Sequence, residues 1–216
     1  MAIFGSEVRI GVMGGSFNPV HCGHLRVASD VKQRLNLDHM FLMPAAQSPL
    51  KAEHSISVEH RVAMLERAIT EFSELEVDYR EVHRAGRSYT AESLADLRSE
   101  VGDNAYLYFV FGDDCLPNLN QWARWTELAS LANLIITKRP GAFPAPPNEV
   151  VHWLRDRETD LDTIGSMSCG GVARIECALL DISSTELRLS LDLGEDLEQV
   201  IPNPVIEYIK HHRLYC

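Results

Sequence analysis

At 216 residues the chain is long enough to bury a full core and fits a single domain over residues 1–216. Acidic residues outnumber basic ones 31 to 20, giving a formal net charge of −11. That balance argues against nucleic acid or an anionic membrane as partner, since either needs a net basic face, but it leaves room for a small anion at a local positive site. The five cysteines form no C-x-x-C pair and read as free thiols; with no leader peptide and no membrane-length apolar run, the expected location is cytoplasmic.

Along the chain, Val8–Met13 (VRIGVM) is a short apolar run of strand length, and Leu25–Leu35 (LRVASDVKQRL) has helical spacing. His39–Pro44 (HMFLMP) reads as a second strand, and the polar stretch AAQSPLKAEHSIS leads into an amphipathic helix, Val58–Phe72. There Val62, Leu65, Ala68, Ile69 and Phe72 share one face. LEVDYR (75–80) is a third strand candidate and Thr90–Val101 a third helix. Ala105–Gly112 (AYLYFVFG) is apolar almost throughout, as a strand buried on both faces should be. NLIITKR (133–139) is a further core strand, ended by Pro140 and Gly141. Residues 142–173, Pro-rich and then Gly/Ser-rich around the helical VVHWLRDRETDL, read as a peripheral excursion. VARIECALL returns as a strand, and residues 183–216 form a C-terminal helical part. The βαβα rhythm implies an α/β fold, a mostly parallel sheet with helices on both faces, whose ligands bind beyond the carboxyl ends of the strands.

The first such end carries GGSFNPVHCGHL, residues 14–25. Gly14 and Gly15 let the backbone turn sharply and approach a ligand, and Asn18-Pro19 favours a turn. Gly23 and His24 then open a helix, whose free N–H groups and positive dipole end suit an anion. His21 and His24 are three residues apart, a spacing that can bring both rings to one pocket. A dinucleotide-binding turn would need GxGxxG, which is absent, and a zinc site would need further Cys or His ligands nearby, so no protein metal site is expected.

This stretch resembles the GG(S/T)F(D/N)PxHxGH form of the HxGH signature of the nucleotidyltransferase superfamily, and is similar to bacterial nicotinate-nucleotide adenylyltransferases. RVAMLERAI, SYTAESL, GDDCL, QW, ANLIITKRPG, ISSTELR and VIEYIKHHRLY resemble that family's segments in its order, from about Val8 to Tyr215. The resemblance implies a Rossmann-like nucleotidyltransferase fold and adenylyl transfer from ATP, as its Mg²⁺ complex, to nicotinate mononucleotide. It also implies site roles. His21 and His24 would be catalytic, on the ATP phosphates, with Gly15, Ser16 and Phe17 lining the phosphate turn. Asp114 would accept from a ribose hydroxyl, and Arg139, Ser183, Ser184, Thr185 and Arg188 would approach the phosphates; Asp113 reads as facing solvent. Lys51, Tyr89, Thr90 and Trp122 would hold the mononucleotide, Trp122 by stacking on its pyridine ring. A monomer or a homodimer would serve.

Local structure offers its own explanations for some of these residues. Ser183-x-x-Glu186 is a capping box, its carboxylate expected to turn back onto the cap, and Thr90 also reads as a helix cap. Cys22, between the two histidines, raises the prospect of an oxidation-sensitive site. The loop after the second strand departs from the family's PNxxPPH(K/R): Ala45 replaces Asn, Leu50 replaces His, and Lys51 alone keeps its charge. Weaker mononucleotide binding is expected, or compensation by Gln47 or His54. Rival readings are an enzyme preferring the amidated mononucleotide, a sister enzyme such as pantetheine-phosphate adenylyltransferase or a cytidylyltransferase, and a non-catalytic nucleotide sensor, which would not need both histidines.

Overall fold

Residues 7–47, 56–84, 86–138, 141–177 and 182–215 are described by a computed structural model. Its elements run β1 (Arg9–Gly15), α1 (Cys22–Arg34), β2 (His39–Pro44), α2 (Val58–Ala68), β3 (Glu76–Val77), α3 (Arg80–His83), α4 (Thr90–Val101) and β4 (Tyr106–Gly112). They continue through α5 (Leu128–Leu131), β5 (Asn133–Thr137), α6 (Asn148–Arg155), α7 (Leu161–Ile164), β6 (Val172–Ile175), α8 (Ser184–Asp192) and α9 (Asn203–His212). The strands form one parallel sheet in the order β3-β2-β1-β4-β5-β6, a Rossmann-like α/β fold.

Strand periodicity divides the core. In β4, Leu107, Phe109 and Phe111 face one side with Leu94 and Leu97 of α4 and Val150 and Leu154 of α6. Tyr108 and Val110 face the other, with Leu25 and Val31 of α1, Met64 and Leu65 of α2, and Val205 and Ile209 of α9. Both faces are covered, which is why β4 shows no polar alternation. The stretch 142–173 connects β5 to β6 and is drawn into this packing: Val150 and Ile164 are fully buried.

Two elements depart from expectation. The third strand is two residues long, not six, because it is an edge strand paired only through Phe41↔Glu76 and Leu42↔Val77. Asp78 then takes the Arg80 backbone N–H at 2.9 Å, and this side-chain turn starts α3 instead of prolonging the strand. The amphipathic helix ends as an α-helix at Ala68 and tightens to a 3₁₀ turn over Ile69–Glu71. Its buried residues are Arg61, Met64, Leu65 and Ala68, so a charged side chain occupies a core position.

The strand order reverses between β1 and β4, which lie side by side with Val12 opposite Phe109. The loops after these two strands therefore flank the switch point where open α/β sheets bind ligands.

Candidate active site

The turn after β1 is held from every side. Phe17 is buried with φ 45°, and its ring lies under Gly15, where a Cβ would meet it at 3.1 Å. The Asn18-Pro19 peptide is cis. Arg188 Nη1 donates to the Asn18 carbonyl at 2.8 Å and to the Ser184 carbonyl at 3.1 Å, while the Ser184 hydroxyl donates to the Pro19 carbonyl at 3.1 Å. The start of α8 is thereby docked on the β1 turn. At the far end of the chain, the Tyr215 hydroxyl donates to Asn18 Oδ1 at 2.5 Å, and burial pushes the Tyr215 pKa up. Tyr215→Phe should leave the buried Asn18 oxygen short of a donor and cost about 1–3 kcal/mol of stability in denaturant titrations. An unchanged midpoint would show that this bond holds nothing.

His21 caps α1 with extended backbone (φ −144°, ψ 165°). Its ring lies over Gly23, where a Cβ would meet Nδ1 at 2.9 Å; only glycine lets the two coexist without a shift. The His21 and His24 rings stand 3.7 Å apart between centroids, tilted by 32°, and the Phe17 ring braces His24 edge-on at 5.1 Å. His24 Nδ1 accepts from the His21 backbone N–H at 3.4 Å, an arrangement that leaves the proton of the neutral His24 ring on Nε2. His21 is buried and His24 half-buried. The first turn of α1 carries no acidic residue, so its positive end remains available to an anion. Burial raises the Cys22 pKa.

At α8, Ser183 is the N-cap: its Oγ accepts from the Glu186 N–H at 3.2 Å, and its hydroxyl donates to the Glu186 carboxylate at 2.6 Å. Glu186 is thus tied to the cap. Arg188 Nη2 reaches Thr185 Oγ1 at 3.3 Å, completing a cluster of Ser183, Ser184, Thr185 and Arg188 beside the turn that bears the histidines.

A second group borders β1 on the other side. Tyr89, not Thr90, holds the N-cap position of α4; Thr90 is the first helical residue, its N–H among those a helix start leaves unbonded. Ser88 ties this start to the loop after β2: its Oγ accepts from the Ala46 N–H at 3.0 Å and its own N–H donates to the Gln47 carbonyl at 2.9 Å. Ala45 in turn donates to the Gly15 carbonyl at 2.9 Å. Trp122 is half-buried, its ring tilted on Phe111 at 5.9 Å and edge-on to Phe109 at 6.3 Å. Phe109 lies 3.4 Å from where a Gly14 Cβ would be, so Trp122 is one ring removed from the β1 turn. Asp114 follows β4 and is exposed, and Asp113 beside it is half-buried. Lys51 and Arg139, together with Leu50 and His54, lie outside the described residues.

Three residues of this framework escaped the sequence reading. Arg61 is 1% exposed, and its Nη1 and Nη2 donate to the Ser16 carbonyl at 2.7 Å and the Ala46 carbonyl at 3.0 Å. Burial lowers its pKa, but arginine keeps its charge. Desolvating a guanidinium costs several kcal/mol, a signal in itself once a charged residue falls on the apolar stripe of a helix. Tyr215 lay within a family segment but carried no local pattern. Glu81 is 5% exposed and accepts from the Ser93 hydroxyl at 2.7 Å, with Arg84 donating to Ser93 at 3.0 Å.

Burial raises the Glu81 pKa, so the folded protein holds this proton more tightly than the unfolded chain does. The associated stability is complete below the unfolded value, about 4.3, and is lost as pH rises through the raised folded value. Glu81→Gln imitates the neutral acid. Its Tm relative to the parent protein should climb as pH rises from about 4 toward neutrality. A constant Tm difference across that range would show that Glu81 carries no such linkage.

A family model described as cytidylyltransferase-like matches residues 12–190. A protein of Cellvibrio japonicus named "Probable nicotinate-nucleotide adenylyltransferase" is 38% identical over 206 residues, covering 95% of this chain and 98% of that one. One of the same name from Chromobacterium violaceum is 38% identical over 213 residues, covering 97% and 99%. Among solved structures, Plasmodium falciparum nicotinic acid mononucleotide adenylyltransferase complexed with NaAD superposes with a TM-score of 0.74 at 20% identity, covering 97% of this chain and 98% of that one. With its cytidylyltransferase-like core and near-full-length kinship, the chain belongs to the nicotinate-nucleotide adenylyltransferase family.

Proposed function

We propose that this chain transfers the adenylyl group of ATP to nicotinate mononucleotide, giving nicotinate adenine dinucleotide and pyrophosphate in NAD biosynthesis. The observation that carries the reading is the pair of imidazoles, 3.7 Å apart between centroids, at the positive end of α1 beside the switch point of the sheet. A phosphate oxygen of the mononucleotide attacks the α-phosphorus; the bond from that phosphorus to the β-phosphate oxygen breaks, and pyrophosphate leaves. The substrate supplies the nucleophile, so the protein has to align two polyanions and stabilise the charge that develops.

His24, with Nε2–H as donor, and His21 face the ATP phosphates, and the backbone of Gly15, Ser16 and Phe17 lines their turn. Ser183, Ser184, Thr185, Arg188 and Arg139 complete the phosphate side, and Asp114 accepts from a ribose hydroxyl. Lys51 meets the mononucleotide phosphate, Tyr89 and the Thr90 N–H meet the nicotinate carboxylate, and Trp122 offers its π face to the cationic pyridine. Mg²⁺ enters with ATP as part of the substrate. Among the described residues there is no group of three or more His, Cys, Asp or Glu that could hold a metal ion.

We assign the work to one nucleotidyltransferase domain, residues 1–216, acting in the cytoplasm as a monomer or homodimer. The cytoplasmic assignment draws support from the free Cys22, Cys115, Cys169 and Cys177, and no helix among the described residues is long and apolar enough to cross a membrane. Pyrophosphate release with ATP and Mg²⁺, using nicotinate and nicotinamide mononucleotides in parallel, tests the reading. Turnover with the acid form in preference supports it; silence with both defeats it.

A further inference from the structure

Resting on the function just proposed, we infer that Arg61 is a positioning residue that aims one backbone N–H at each substrate: that of Phe17 at ATP and that of Gln47 at the mononucleotide phosphate. Its two terminal nitrogens hold the Ser16 carbonyl at 2.7 Å and the Ala46 carbonyl at 3.0 Å. Those carbonyls belong to the peptides 16–17 and 46–47, both trans, since the cis bond of the chain's described part is Asn18-Pro19. In a trans peptide the N–H points opposite to the C=O. A guanidinium that draws both carbonyls inward therefore turns the Phe17 and Gln47 N–H groups outward, away from the core.

Charge reinforces the geometry. Arg61 is buried, and among the described residues no carboxylate forms an ion pair with it. Its positive charge sits behind the oxygen end of each peptide dipole, so each outward N–H presents a reinforced positive pole to an anion. The fork is planar, which lets one side chain serve two carbonyls on separate loops and fix their spacing. Ser88 holds the opposite edge of the second loop, through the Ala46 N–H and the Gln47 carbonyl, so the 46–47 peptide is set from both sides. This supplies a donor where the loop lacks two of the family's polar residues, Asn at Ala45 and His at Leu50.

Arg61→Lys keeps the charge and loses the fork; Arg61→Ala loses both and opens space for free guanidinium. With Arg61→Lys, KM should rise about tenfold or more for ATP and for the mononucleotide alike. Millimolar guanidinium should restore activity to Arg61→Ala, and ammonium should not. A residue that only holds the fold would lower the active fraction and Tm, leaving both KM values as in the parent protein; that result overturns the inference. Should Arg61→Ala fail to fold, the KM values of Arg61→Lys decide alone. Nucleotide affinity by calorimetric titration of parent and Arg61→Lys separates the two claims. If the parent binds ATP but never turns over, the function falls, and loss of ATP affinity on Arg61→Lys still upholds the positioning role. Equal affinity in both proteins, or no nucleotide binding by the parent, overturns it.

Discussion

His24→Ala should lower kcat by about three orders of magnitude, with Tm within a few degrees of the parent protein. The size follows from losing one positioned donor to developing phosphate charge, on the order of 10²–10³, together with the neighbouring ring it braces. The ring of His21 stands 3.7 Å away, and truncation at position 24 removes the surface that fixes its tilt. The backbone should survive, because α1 is anchored elsewhere, by Leu25, Ala28 and Val31 in the core. Pyrophosphate release under saturating ATP is the measurement. Activity within a few-fold of the parent protein would remove His24 from the chemistry.

Trp122→Ala should raise KM for nicotinate mononucleotide by about tenfold to thirtyfold and leave KM for ATP within about twofold, the ratio expected from losing a cation–π contact of about 2 kcal/mol. The Trp122 ring packs against Phe111 and Phe109 and keeps part of its surface exposed. Trp122→Phe should recover most of the loss. Equal rises in both KM values would instead indicate that Trp122 supports the β4 loop as a whole.

The sheet was legible where the chain repeats a simple physical demand. AYLYFVFG announces a doubly covered strand by excluding polar residues, and β4 obeys. The edge strand was less legible, since only two of its residues pair and Asp78 diverts the chain by a local hydrogen bond. In the site, glycines and histidines at fixed spacing revealed the β1 turn because their steric reasons are local: Gly23 yields to the His21 ring, Gly15 to Phe17. What holds the turn was less legible. Arg188 was assigned to the phosphates from its ISSTELR segment, but its hold on the Asn18 carbonyl, 170 residues away, was not. Arg61 and Tyr215 reach the turn across 45 and 197 residues, and no local pattern encodes such partners. Of these two, Arg61 left a trace, a cation on an apolar stripe.

Those long separations bear on assembly. Closing contacts between such distant positions costs chain entropy that grows with the logarithm of the separation, which favours their forming after shorter-range structure. The phosphate turn can therefore be complete only once α8 and the segment beyond α9 have docked on it. A half-folded molecule would possess the sheet and lack the catalyst, so turnover would report the last step of maturation rather than the first.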